Sequence, residues 1–432
     1  METTVRPPAK PRLEISRSSR SQALNRELIP ETVDLFCGAG GLSFGLQSAG
    51  LSVCAHLDSW TAAVETLNSN FNEQRAPTDV RELTAQNIRS LVGGTPGVLA
   101  GGPPCQSFTS AGRRQNDDPR GTLVGVFANL AAAIRPPLVV FENVEGFLTA
   151  GGGRFVFDFL APLIEAGYQV RIRKVNFANF GVPQHRKRVI AIASLLGDPP
   201  FPNPTHSAWG APGAQEIADC PATPTVWETL KDLPHPGSAD APQGHVAPRA
   251  SRLEQARIDA LTPGQTMRDL PEDLWHSSYR KRAFRRVKDG TPTERRGGPP
   301  AGLRRLRGDQ PSKAITSAAI RELVHPDENR RLTLREAARL QTFPDHFEFQ
   351  GNGAEQATLI GNAIPPRFAE LLGKALIDHL TIHAEAKEHE PGEGGLVEFD
   401  VTPAQQMSPA LAKVVKAVDA QFTPSLLAAI AA

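Results

Sequence analysis

Between residue 32 and about residue 195, short apolar runs alternate with stretches of helical spacing, and this restricts the possible fold more than any other feature. Thr32–Phe36, Leu51–Asp58, Gly97–Ala100, Leu138–Glu142 and Val189–Ala193 are short, apolar and bounded by turn residues. That is the pattern of strands covered on both faces. Leu42–Ala49, Ala62–Phe71, Thr122–Ile134 and Phe155–Ala166 carry helical spacing between them. Strands alternating with helices predict an α/β fold, a doubly wound and mostly parallel sheet with ligands at the carboxyl ends of its strands. Gly167–Phe180 alternates polar with apolar residues and reads as an edge strand.

At 432 residues the chain is long for one domain, and its 40% of hydrophobic residues suffices for a core. Residues 1–30 read as a flexible basic tail, 31–199 as the catalytic and cofactor-binding domain, and 200–328 as a smaller irregular region rich in Pro, Gly and Arg. Helical pattern returns within 329–388, at Leu332–Thr342 and from Pro365, and 389–432 reads as an appended C-terminal extension with an amphipathic stretch at Pro409–Ala420. The four cysteines form no CxxC pair, so neither a metal site nor a disulfide framework is expected. The N-terminus carries no apolar leader and no run is long enough to span a bilayer, which predicts a cytoplasmic, reducing setting.

Two segments carry candidate chemistry. In Gly101-Gly102-Pro103-Pro104-Cys105-Gln106-Ser107-Phe108 a cysteine follows a stiff turn at the end of a strand, where a packing thiol needs no such rigidity. Cys105 is therefore read as a nucleophile. Asp34-Leu35-Phe36-Cys37-Gly38-Ala39-Gly40-Gly41 follows the first strand, and its glycines let the backbone approach a cofactor. Ser43 stands where the third glycine of a dinucleotide fingerprint would be. Asp58 ends the second strand as a candidate acceptor for ribose hydroxyls, and Asp79 in Thr78-Asp79-Val80 as one for an adenine amino group. With no phosphate-binding lysine, the set favours S-adenosyl-L-methionine over NAD or ATP.

In their order these segments resemble the cytosine-5 DNA methyltransferase family across most of residues 32–375. Asp34–Gly41 is similar to its cofactor loop, Pro103–Gln106 to its nucleophile loop and Arg120-Gly121-Thr122-Leu123 to the start of its next helix. Phe141-Glu142-Asn143-Val144 resembles its Glu-Asn-Val strand end, and Gln184-His185-Arg186-Lys187-Arg188 its Gln-x-Arg-x-Arg element. Arg331–Pro344 resembles the helix that organises target recognition, and Gly361-Asn362-Ala363-Ile364-Pro365-Pro366 the motif that returns to the cofactor pocket.

The resemblance implies a class I, Rossmann-like methyltransferase fold with a smaller target-recognition domain. It implies methyl transfer from S-adenosyl-L-methionine to C5 of a cytosine in double-stranded DNA at a short specific sequence. The base must leave the stack to be reached. Cys105 then adds to C6, Glu142 serves N3, Arg186 holds the cytosine O2 and helps place Glu142, and Arg188 supports. The cofactor positions carried over are Asp34, Phe36, Gly38, Gly40, Gly41, Leu42, Asp58, Ser59, Asp79, Val80, Pro104, Leu123, Asn362 and Ala363. Ser59 occupies the place where the family often has an aromatic residue, and Trp60 follows it.

Between Arg280 and Arg307 there are eleven Lys or Arg residues against two acids, in a chain of net charge +1. Such a run is usually a solvated face; here it falls in the region where the family recognises its target, which implies phosphate contacts and a few base contacts. Gln106, Ser107, Arg285, Arg286, Arg304 and Arg305 are the candidate DNA-binding residues. The expected form is a nucleoid-associated monomer, without membrane contact, with a cognate restriction endonuclease as counterpart. Two alternatives stand beside this reading: a tRNA-directed member of the family and a non-catalytic DNA-binding relative.

Overall fold

The computed structural model describes residues 31–104, 122–277, 279–280, 302–402 and 406–422. Cys105, Gln106, Ser107, Arg285, Arg286, the 1–30 tail and residues 281–301 of the basic run lie outside the described residues.

A seven-stranded sheet forms from β1 (Glu31–Leu35), β2 (Ser52–Leu57), β3 (Val98–Gly101), β4 (Leu138–Asn143), β5 (Gln169–Asn176), β7 (Lys187–Ser194) and β11 (Gly395–Asp400). Two-residue strands β6 (Gln184–His185), β8 (Arg304–Arg305), β9 (Ser312–Lys313) and β10 (Leu323–Val324) make two small ladders, β6 with β9 and β8 with β10. The large sheet runs in the order β11-β5-β7-β4-β3-β1-β2. Among the described residues only β7 is antiparallel to its neighbours in this sheet, β4 and β5; the other pairs are parallel.

The apolar runs are strands because both faces of the sheet are covered, so consecutive residues enter different cores. Along β4, Val139 and Phe141 face the helices Ala85–Val92, Thr122–Ile134 and Arg154–Glu165. Leu138 and Val140 face Gly41–Ala49 and Pro366–Ile382 instead. Those last two helices, far apart in sequence, pack closely: a Cβ at Gly45 would lie 2.3 Å from the Pro366 carbonyl oxygen.

Two expectations about the far edge are corrected. Gln169–Asn176 is not an edge strand, because β11 pairs with it in parallel on its outer side. The stretch beyond 389 is therefore no mere appendage. β11 completes the sheet, and the Pro409–Phe422 helix sends Leu411, Val414, Val418 and Phe422 into the core shared with Val156 and Phe159. The helices Ala85–Val92 and Gly353–Asn362 go unread in the sequence. Both open with a capping box, Thr84 with Asn87 and Asn352 with Glu355, which is a legible start signal.

The 200–328 region has its own small core of Ile258, Leu261, Met267, Leu270, Tyr279, Leu303 and Val324. Tyr279 packs edge-on against Trp275 there, with ring centroids 5.2 Å apart. Among the described residues no helix is long and apolar enough to cross a membrane.

Candidate active site

At the carboxyl end of β1, Asp34 is buried and accepts a hydrogen bond from the Ser43 hydroxyl at 2.5 Å. Its other oxygen, Oδ1, is buried and has no hydrogen-bond partner among the described residues. Burial raises its pKa to about 6, with Ser43 and His56 partly offsetting. The next turn carries Phe36 and Gly40 at positive φ, and Gly40 starts the Gly41–Ala49 helix. Gly41 must be glycine: a Cβ there would lie 2.2 Å from the Ile364 carbonyl oxygen, so the Gly361–Pro366 segment rests directly on this loop. Around Gly38, by contrast, no atom lies within 4 Å of where a Cβ would be. Leu42 is buried beneath the turn.

Asp58, at the end of β2, joins two loops. Its carboxylate accepts from the Gly38 amide at 2.8 Å and from the Trp60 amide at 2.8 Å, and burial raises its pKa. Each oxygen retains a second lone pair. Asp79 is engaged differently, since Arg81 grips its carboxylate at 2.5 to 3.1 Å and holds its pKa down. An adenine amino group would share that carboxylate with Arg81. Val80 and Ala363 are buried, Leu123 and Pro104 are half-buried, and Ser59 and Asn362 are exposed.

The second half of the site lies at the ends of β3, β4 and β7. A Cβ on Gly102 would approach Glu142 Oε2 to 3.2 Å, so the segment before Cys105 passes close over that carboxylate. Asn143 donates through Nδ2 to the Pro103 carbonyl at 3.3 Å, tying the same segment to β4. Glu142 is 9% exposed, and its Oε1 lies 2.8 Å from Arg188 Nε. The arginine beside Glu142 is therefore Arg188, not the Arg186 expected there. Arg186 is instead buried and donates to the carbonyls of Ile315 at 2.7 Å and Ala363 at 3.1 Å. The chain changes pairing partner at Arg186, from β9 to β5, and this break turns the side chain away from that of Arg188.

Around Arg186 a buried polar hub collects segments distant in sequence. Gln184 donates to Gln341 Oε1 at 2.8 Å and to the Leu340 carbonyl at 2.7 Å, and accepts from the Ile315 amide at 2.8 Å. Gln341 in turn donates to the Ile360 carbonyl at 2.5 Å. Gly361 touches the 316–317 backbone so closely that a Cβ would lie 2.2 Å from the Ser317 amide nitrogen. Three of the sequence motifs, 184–188, 331–344 and 361–366, therefore meet the 315–317 segment at one junction. The two glutamines are detectable beforehand only as polar residues inside otherwise apolar or motif segments.

Of the candidate DNA-binding arginines, two are described. Arg304 is half-buried with no carboxylate partner among the described residues. Arg305 is not a DNA contact. It is 3% exposed and donates to the carbonyls of Ile258, His325, Pro326 and Glu328 and to Asn329 Oδ1. The β8 pleat sends adjacent side chains to opposite faces, so one arginine of the pair enters the core.

The C-5 cytosine-specific DNA methylase family matches residues 31–378. The chain is 30% identical to the type II methyltransferase M.AgeI of Thalassovita gelatinovora, over 82% of its own length and 99% of that protein's. It is 33% identical to the type II methyltransferase M.Eco47II of Escherichia coli, over 80% and 78% of the two chains. A DNA modification methyltransferase encoded within an E. coli prophage has a similar fold, with a TM-score of 0.56 and 23% identity over 82% of this chain and 99% of that one. The sheet, with its single antiparallel strand and its loops gathered at the strand ends, is a class I methyltransferase fold. On that match across most of its length, the chain belongs to the C-5 cytosine-specific DNA methylase family and is a DNA cytosine methyltransferase.

Proposed function

We propose that the chain transfers a methyl group from S-adenosyl-L-methionine to C5 of a flipped cytosine at a short specific sequence in duplex DNA, as the modification partner of a restriction endonuclease. The observation that carries this reading is the Glu142–Arg188 pair packed beside Gly102, in a segment that Asn143 ties down two residues before Cys105. The type II methyltransferases among its relatives support the restriction-modification setting.

Residues at the ends of β1 and β2 fit the cofactor. The partnerless Asp34 Oδ1 suits a cationic or N–H group, Asp58 keeps lone pairs for ribose hydroxyls, and the backbone at Gly38 stands open. When bound, S-adenosyl-L-methionine supplies an electrophilic methyl group. Cytosine C5 is too weak a nucleophile to take it unaided. The Cys105 thiolate adds to C6, and the electron pair of the C5–C6 bond becomes available at C5. Glu142 serves N3 with a hydrogen bond or proton as negative charge builds on the ring. Arg188 steadies Glu142 and presents N–H groups toward the O2 side of the base. After transfer, a base removes the C5 proton, the C5–C6 double bond reforms and the thiolate leaves.

Duplex DNA carrying 5-fluorocytosine at the target tests the covalent step, because fluorine blocks the final elimination. The wild-type chain forms an adduct that survives denaturation, and Cys105→Ser forms none while still binding cofactor. An undiminished adduct with Cys105→Ser removes Cys105 from the chemistry. Bisulfite sequencing of plasmid from an expressing host reads the methylated sequence.

A further inference from the structure

The family match ends at residue 378, yet the chain beyond it reaches the catalytic edge of the sheet. β11 lies along β5, and Glu398 fastens it there through Arg171 at 3.0 Å and Arg173 at 2.5 Å. Behind it, the Pro409–Phe422 helix presses on the turn that starts the Arg154–Glu165 helix, where a Cβ at Gly153 would lie 2.6 Å from Val414. Just past β11, Val401 is buried in the main core and Thr402 accepts a hydrogen bond from Lys174 Nζ. Lys174 also pairs with Glu145 at 3.2 Å, and Glu145 pairs with Lys187 at 2.9 Å. Burial raises the Glu145 pKa, but Lys187 and Lys174 outweigh it and leave the carboxyl below its ordinary range. The chain of contacts ends beside the site, since Lys187 precedes Arg188 and Glu145 lies three residues past Glu142.

We infer that the C-terminal segment is a strap for the catalytic centre, in which the Thr402–Lys174–Glu145–Lys187 contacts hold the ends of β4, β5 and β7 together and keep the Glu142–Arg188 pair in reach of the base. Glu145 is a positioning residue, acting through Glu142. The inference rests on the role proposed above for Glu142. Two ion pairs, Glu142–Arg188 from the end of β4 and Glu145–Lys187 from the turn just after it, reach the start of β7 side by side, so loosening one lets the other shift. Small displacements of catalytic groups cost about 100-fold per ångström at the upper end.

The test uses the full chain and single-turnover transfer of a tritiated methyl group to unmethylated plasmid DNA, with cofactor affinity by calorimetry and the unfolding midpoint measured alongside. Glu145→Gln and Thr402→Val each slow transfer by about ten-fold, a fraction of that limit, with cofactor affinity and midpoint unchanged. Thr402→Val removes no charge and keeps side-chain volume, so it reports on the strap where Glu145→Gln perturbs the fold. Glu145→Gln placed on Glu142→Gln slows transfer no further, because its effect passes through that carboxylate. A wild-type rate in Thr402→Val or Glu145→Gln, or full additivity with Glu142→Gln, overturns the inference. A wild-type rate in Glu142→Gln alone instead overturns the role of Glu142 on which it rests.

Discussion

Arg304 and Arg305 are neighbours of the same type, and replacing each by methionine is expected to give opposite results. The Arg305 guanidinium serves four backbone carbonyls and Asn329 Oδ1, at distances from 2.6 to 3.4 Å. A hydrogen bond from a charged donor contributes roughly 1.5–3 kcal/mol net, but five such values do not add, because carbonyls regain water as the region loosens. The loss expected for Arg305→Met is therefore about 3–5 kcal/mol, typical of breaking a buried charged contact. Its acceptors lie in the Arg252–Asp259 helix and the 325–329 turn, so the small core around them should open first. Arg304→Met leaves those contacts intact and removes one half-buried cation. If that cation meets a phosphate, the slope of log affinity against log salt falls by about 0.9. Urea unfolding and fluorescence anisotropy with duplex DNA at several salt concentrations separate the two effects. An unchanged unfolding midpoint for Arg305→Met, together with a flatter salt slope, would refute the assignment of Arg305 to the core.

Asp34 makes stability depend on pH. Its folded pKa, about 6, lies above the ordinary 3.8, so the folded state holds an extra proton between those values and its stability falls as pH rises through that window. The loss reaches about 3 kcal/mol at most, and Asp34→Asn removes it, flattening the pH profile of cofactor-free protein while weakening cofactor binding. A profile unchanged by Asp34→Asn counts against the burial argument. Asp58→Ala should weaken cofactor binding by about 1–3 kcal/mol, both from lost acceptors and from releasing the Gly38 and Trp60 amides. Calorimetry showing equal affinity would take Asp58 out of the pocket.

The parts of the site legible in the sequence are those set by local rules. The Asp34–Gly41 and Gly101–Phe108 segments stand out because glycines and prolines after apolar strands restrict the backbone whatever lies around them. Asp34, Asp58 and Glu142 each end a strand, and strand ends gather at one edge of a doubly wound sheet. Arg186 and Arg188 defeat the same rules. Two residues apart in a strand they would share a face; the switch of partner from β9 to β5 between them depends on Ser312 and Lys313, more than a hundred residues away. The charge run around Arg305 likewise carries no sign that one of its members is enclosed by carbonyls from two other segments.

The sequence by itself determined the alternation of strands and helices, the order of the motifs and the residue types that the chemistry demands. Each of these depends on periodicity and turn geometry within a few residues. Only the tertiary structure decided which arginine stands beside Glu142, which arginine of the 304–305 pair is buried, and that β11 pairs on the outer side of β5. These outcomes turn on long-range pairing. Whether an arginine is buried depends on which backbone carbonyls are brought around it, and whether a strand forms an edge depends on whether a distant segment can cover it.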